Sequence, residues 1–297
     1  MKPKNKPDVA LSAPPPRSYK RNLLIQRLSR APWWLLVTFF LVLVIVANMS
    51  QDSTYQEVWS KVQQGIWTTI WVSVVAYALA LVLGLFVAMM RRSSNPIIYQ
   101  IATFYVEIVR GIPTLVLVYY IVLALVPQLV SLANSLGASM LENGVLTGLA
   151  EPLATLRTRD IPNELRAIAG LAISYSAFLS EIFRAGIESI PIGQREAGMS
   201  MGMTRWQIMR FIILPQAFRN VLPPLGNDFI AILKESSLVS IVGVEDITRS
   251  GATYASANFT FFQSYNVVAL TYLVLTLSLS VLVKLMEMYL DRGKQRA

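Results

Sequence analysis

The sequence predicts an all-α, polytopic membrane protein with about six transmembrane helices. Three observations carry that expectation. Of 297 residues, 54% are hydrophobic and only 14% charged, where a soluble domain carries about a quarter charged. The apolar residues gather into runs near the roughly 20 residues that cross a bilayer. The basic residues fall at alternate ends of those runs, as the positive-inside rule requires.

The elements follow in chain order. Residues 1–32 hold Lys2, Lys4, Lys6, Arg17, Lys20, Arg21, Arg27 and Arg30 against one acid, Asp8, and include Pro14-Pro15-Pro16. This composition reads as a basic cytoplasmic tail. Residues 33–49 are free of charge and open on Trp33-Trp34, an interfacial pair, so they read as a first, anchoring span. A cleaved signal peptide is the rival. The basic region is too long for one, and Ala47-Asn48-Met49 is a poor cleavage site.

The second run, 65–90, ends on the cytoplasmic stop Arg91-Arg92. The third, 101–130, is interrupted by Glu107, Arg110, Gly111 and Pro113, so clean membrane sequence starts at Ile112. Residues 131–164 read as a mixed external loop in which Glu142, Glu151, Asp160 and Glu164 outnumber Arg157 and Arg159. The fourth run is 167–187, the fifth 225–244 and the sixth 266–288, followed by Arg292, Lys294 and Arg296. Six alternating spans put both termini inside, together with the segment carrying Arg184, Arg195, Arg205, Arg210 and Arg219.

Composition also excludes chemistry. The net charge of +9 is no nucleic-acid footprint in a chain this apolar. Without cysteine there are no disulfides or thiolate metal sites, and without histidine the commonest zinc ligand and general base are gone. No metal site is expected.

Between the fourth and fifth runs, residues 194–201 read as a helix, Gly202 as a break, Thr204 as the cap of a second helix and Pro215 as its stop. Its methionines and Trp206 are too apolar for water, and the hairpin is too polar for lipid. It could pack beneath its own bundle or dock a cytoplasmic partner with adaptable Met side chains. On the residues alone the two readings stand level.

Glu196-Ala197, Gly202 six residues after the glutamate, and Ile212-x-Leu214-Pro215 resemble the EAA coupling loop of ABC-importer permeases, with Gly198 in place of the second alanine. Residues 105–113, 176–184, 222–229 and 234–238 resemble the polar amino-acid permeases of the histidine/glutamine type. The resemblance covers 65–291, a five-helix ABC-importer permease core with its coupling loop at 190–222. The first span and the 131–164 loop are additions to it.

That resemblance implies a bacterial inner-membrane permease subunit with Glu196, Ala197, Gly202, Met203 and Arg205 as the coupling residues. Its implied partners are an ATP-binding cassette ATPase dimer, a second permease subunit and an external solute-binding protein. ATP and Mg would sit on the ATPase, and no cofactor on this chain. The implied cargo is a polar amino acid. No G-x-x-x-x-G-K-[ST] run occurs in the sequence, so energy comes from elsewhere and the chain is no enzyme. The competing reading is an ion-gradient-driven secondary transporter, which calls for inverted repeats and titratable relays. No such repeat is visible.

Ionisable residues inside spans each raise a functional hypothesis. Glu107 with Arg110, and Glu181 with Arg184, stand i,i+3 and read as local structural ion pairs. Asp228 lies four residues after Pro224, beside Gly226 and Asn227, and has no close basic neighbour. It is a candidate contact for an ammonium or cationic side chain. The alternative is a helix N-terminal carboxylate favoured by the dipole. Asn227 and Ser237 complete the candidate substrate set.

Overall fold

A computed structural model describes residues 33–144 and 146–294, and divides the chain into two units, 1–52 and 53–297. The tail assigned to 1–32 lies outside the described residues. In the first unit, α1 (Trp33–Met49) is a 17-residue helix with no charged residue.

The second unit is built from α2 (Ser53–Met90), α3 (Pro96–Gly111), α4 (Thr114–Glu142), α5 (Thr147–Thr155), α6 (Asn163–Glu188), α7 (Ile192–Ser200), α8 (205–235), α9 (Ile247–Asn258) and α10 (Phe261–Lys294). Among the described residues, four helices are long and apolar enough to cross a membrane: Ser53–Met90, Thr114–Glu142, Asn163–Glu188 and Phe261–Tyr289. Two of the six expected spans are not among them. α1 is described over 17 residues, the lower limit for crossing a bilayer, and the run 225–244 is split, because α8 ends at Glu235 and a 3₁₀ helix takes Ser236–Val242.

The core lies where α2 meets α6, the most extensive helix pairing. Ala76, Ala80, Gly84 and Ala88 recur every four residues on α2, so one narrow face lets α6 approach closely. A Cβ on Gly84 would stand 2.9 Å from the Ser176 carbonyl oxygen. The buried serines of this seam donate back to their own helices, Ser73 to the Thr69 carbonyl (2.7 Å) and Ser174 to that of Gly170 (2.8 Å). Each buried hydroxyl therefore has a partner without a second helix having to supply one. Val72, Val118, Val122, Leu171, Leu179 and Ile232 fill the space around it.

Breaks follow local chemistry. Asn95 caps α3 by accepting from the Ile97 N–H at 2.9 Å, with Pro96 at the first helical position. α3 stops because Ile112 precedes Pro113 and is extended (φ −102°, ψ 133°). Pro127 and Pro215 do not stop their helices, contrary to the expectation for Pro215. Each follows a π-helical turn, Tyr120–Leu125 and Met209–Ile213, and the helix runs on. The wider turn shifts the hydrogen-bond register just where proline has no N–H to give.

The expected 131–164 loop is mostly helical. α4 continues to Glu142, and α5 folds back on it with Gly137 against the backbone of Ala150 and Ala154. Across the bundle, the fully buried Asp246 caps α9, accepting from the Arg249 N–H (2.8 Å) and the Tyr272 hydroxyl (3.1 Å). Burial pushes its carboxyl above the ordinary range, and these hydrogen bonds, with those from Thr248, pull it back.

Candidate functional site

The hairpin between α6 and α8 is shaped by three local devices. α7 ends in a Schellman motif: Gly202 takes φ +76°, its N–H donates to Met199 (2.9 Å), and the Met203 N–H donates to Gly198 (3.1 Å). Thr204 opens α8 with a capping box, accepting from the Gln207 N–H (3.3 Å) while its own N–H donates to Gln207 Oε1 (2.8 Å). Gly198 is buried, and a Cβ there would stand 2.8 Å from Ile208 Cγ1 and 3.1 Å from Ile212 Cδ1. The departure from alanine is thus more than a weak point in the helix. It is where α8 packs onto α7.

With its inner face closed by Ile208 and Ile213, the hairpin turns Ile192, Met201 and Trp206 outward, each more than two thirds exposed. Glu196, Ala197 and Arg205 are exposed and Met203 is half-buried. A helix–turn–helix with large apolar side chains held in water by two capped ends has the form of a docking element. The capping box sets a scale for its rigidity: Thr204→Ala should lower stability by about 1 kcal/mol, measured by thermal unfolding of the detergent-solubilised protein. An unchanged melting temperature would show that the cap does not hold the hairpin.

The sequence profile of the binding-protein-dependent transport system inner membrane components matches residues 80–296. The chain belongs to this family.

Relatives agree with that assignment. The chain is 37% identical over 224 residues to the probable amino-acid permease protein YxeN of Bacillus subtilis (strain 168), covering 75% of this chain and 88% of the relative. To the glutamine transport system permease protein GlnP of Escherichia coli (strain K12) it is 33% identical over 224 residues, covering 75% and 90%. Among solved structures it resembles an amino acid ABC transporter crystallised with histidines, at 33% identity and a TM-score of 0.63, over 80% of this chain and 95% of that one. The inward-facing MetNI methionine ABC transporter shares the fold at 20% identity and a TM-score of 0.57.

As an inner-membrane component of such a system, the protein is a non-catalytic permease subunit. It works with a separate ATPase and a solute-binding protein.

Within the bundle, Asp228 is half-buried on α8 and has no ion-pair partner among the described residues. It comes within electrostatic reach of Tyr77 on α2, Tyr175 on α6 and Glu235 two turns further along its own helix. Tyr77 donates to the Leu225 carbonyl (2.6 Å) and stacks obliquely on Phe229, with ring centroids 5.1 Å apart. Asn227 is exposed, and its amide turns back to the Pro223 carbonyl (3.2 Å). Ser237 is half-buried in the 3₁₀ segment, where its carbonyl accepts from Ser240. No described hydrogen bond joins Asn227 or Ser237 to Asp228.

Tyr77 and Tyr175 were missed as candidates for this region, and Glu235 was read only as a structural or gating residue of the 234–238 segment. For the tyrosines the available signal was a polar tip in an otherwise apolar run, because a buried phenol, unlike a serine hydroxyl, reaches past its own helix to find a partner.

One of the two expected local ion pairs forms and the other does not. Glu181 does pair with Arg184 (2.7 Å), but Arg110 reaches Glu181 (3.4 Å) and not Glu107. Glu107 has no ion pair among the described residues. Arg91 also binds Glu181, at 2.5 Å, and Arg184 continues to Glu188 at 2.8 Å. One carboxylate therefore gathers guanidiniums from the ends of α2 and α3 and from α6.

Proposed function

We propose that the chain forms the translocation pathway for a polar amino acid in an ATP-driven importer, paired with a second permease subunit and resting on an ATPase dimer that holds ATP and Mg. The observation that carries this reading is the α7–α8 hairpin. Its turn is fixed by the Gly202 and Thr204 caps, it lies between α6 and the rest of the bundle, and it offers Ile192, Met201 and Trp206 to a partner. ATP binding to the ATPase would favour one orientation of that hairpin over the other, and α8 would carry the difference into the bundle.

Orientation follows the charge. Two arginines close α2 and five more lie from Arg184 to Arg219, so this side and both termini face the cytoplasm. α1 would serve as an added anchor and the α4–α5 hairpin as an external addition. The names of the relatives, glutamine and arginine permeases among them, support an amino acid as cargo.

Reconstituted with its ATPase and binding protein, the permease should take up labelled amino acid only with ATP inside. Gly202→Val forces a β-branched residue to φ +76°, which costs more than about 1–2 kcal/mol locally. Uptake should fall at least ten-fold, and less ATPase should co-purify. Undiminished uptake by this variant would sink the coupling role of the hairpin.

The cargo contact is assigned to Asp228, an acid without an ion-pair partner among the described residues and near two tyrosines. Asp228→Asn should change the ranking in which arginine, lysine, histidine, glutamine and glutamate compete for uptake, with the cationic competitors losing most. An unchanged ranking would remove Asp228 from the site.

A further inference from the structure

On the side of the bundle where α2 ends, a cavity of about 410 Å³ separates that end from the α7–α8 hairpin. Its charged lining is Arg92, two residues beyond α2, Arg195 on α7, and Arg205, the first residue of α8. No carboxylate lines it, and none of the three arginines makes an ion pair among the described residues. Neighbouring arginines are treated differently: Arg91, Arg110 and Arg184 all share Glu181. Three like charges around one space repel one another unless an anion joins them.

The rest of the lining narrows the choice of anion. Met199, Ile208, Met209 and Ile213 give the cavity an apolar wall. A free phosphate or a protein carboxylate has no use for that wall. A lipid has both parts. Guanidinium forks match phosphate oxygens in pairs, and Arg92 lies two residues past the long apolar α2, which puts the cavity at the membrane boundary. Basic pockets between helices at this depth suit anionic headgroups.

We propose that this cavity binds an anionic phospholipid, with Arg92, Arg195 and Arg205 around its phosphate and the four apolar side chains against its first methylenes. A lipid seated there would join the end of α2 to the hairpin that faces the ATPase, so coupling would depend on lipid charge. The leaflet rests on the orientation proposed above.

The test uses the assembled transporter in detergent, with lipid retention read by native mass spectrometry. Phosphatidylglycerol and phosphatidylcholine with identical chains serve as probes. The parent should retain phosphatidylglycerol at least ten-fold more tightly than the Arg92→Gln/Arg195→Gln/Arg205→Gln variant. Phosphatidylcholine should bind both alike, and Arg210→Gln/Arg219→Gln should match the parent.

Equal phosphatidylglycerol retention by parent and triple variant overturns the proposal. Displacement by millimolar inorganic phosphate would overturn it in favour of a soluble anion. Loss of ATPase from the triple variant with lipid retention unchanged would assign the arginines to the ATPase. Orientation fails or stands separately: the sequence has no cysteine, so Ser94→Cys, at an exposed position just beyond Arg92, gives this chain a single thiol, expected to label only from the cytoplasmic side.

Discussion

Glu181→Gln is expected to destabilise the protein by about 3–5 kcal/mol, the scale for removing one partner from a buried ion pair. The carboxylate accepts from Arg91 Nη1 (2.5 Å) and from Arg184 Nε (2.9 Å) and Nη2 (2.7 Å), while Arg110 Nη1 stands at 3.4 Å. The Arg91 side chain is only 9% exposed and that of Glu181 18%, so water replaces little of what the substitution removes around Arg91. Glutamine keeps the shape and removes the charge. Three guanidiniums are then left close together, with Glu188 beside only one of them.

The geometry also separates this role from that of a surface pair. Arg184 is about a third exposed, and Arg184→Gln should cost no more than about 1 kcal/mol. The comparison is made by heating the detergent-solubilised protein and following the monodisperse fraction. Were Glu181→Gln to melt with Arg184→Gln, Glu181 would be one more surface partner and not the joint between α2, α3 and α6.

The second large effect is expected at a glycine. A Cβ on Gly65 would lie 2.3 Å from the Asp246 carbonyl carbon, 2.5 Å from its oxygen and 2.5 Å from the Ile247 nitrogen. These are backbone atoms at the start of α9, so no rotamer change relieves the clash. The Ile247 N–H also donates to Thr69 Oγ1 (3.2 Å), and moving α9 away breaks that bond and disturbs the Asp246 cap. Gly65→Ala should cost about 3 kcal/mol or more, the upper end of overpacking penalties. Gly148 is the control, a helical glycine in α5 with nothing within 4 Å of its missing Cβ. Alanine there, in the first turn, should be neutral or stabilise by less than about 1 kcal/mol through helix propensity. If both substitutions shift the melting temperature alike, the close approach of α2 and α9 is not a determinant of stability.

Much of this was legible before any coordinates. The apolar runs marked the helices, Pro113 the end of α3, Gly202 the turn of the hairpin and Thr204 its cap, because each acts through the backbone within a turn of itself. The absence of a phosphate-binding loop, with the Glu196-to-Pro215 pattern, pointed to a permease leaving ATP to a partner. The boundaries were less legible. Gly65 read as the start of a span, yet α2 begins at Ser53, and Val58 and Val62 are fully buried. Polar residues hid those first turns from a hydropathy reading although their apolar face packs inside.

What the sequence determined by itself, then, is local: the main helical runs, the breaks at Pro113 and Gly202, which ends carry positive charge, and the class of membrane subunit they compose. The tertiary structure alone decided who meets whom. Arg110 left Glu107 for Glu181, Gly198 and Gly65 became points of contact, Asp228 acquired two tyrosines from distant helices, and Arg92, Arg195 and Arg205 came to line one cavity. The physical reason is one of range. Periodicity fixes which face a residue occupies on its own helix, whereas its neighbour across a seam depends on the rotation, depth and crossing of two helices, and these are set by the packing of the whole bundle.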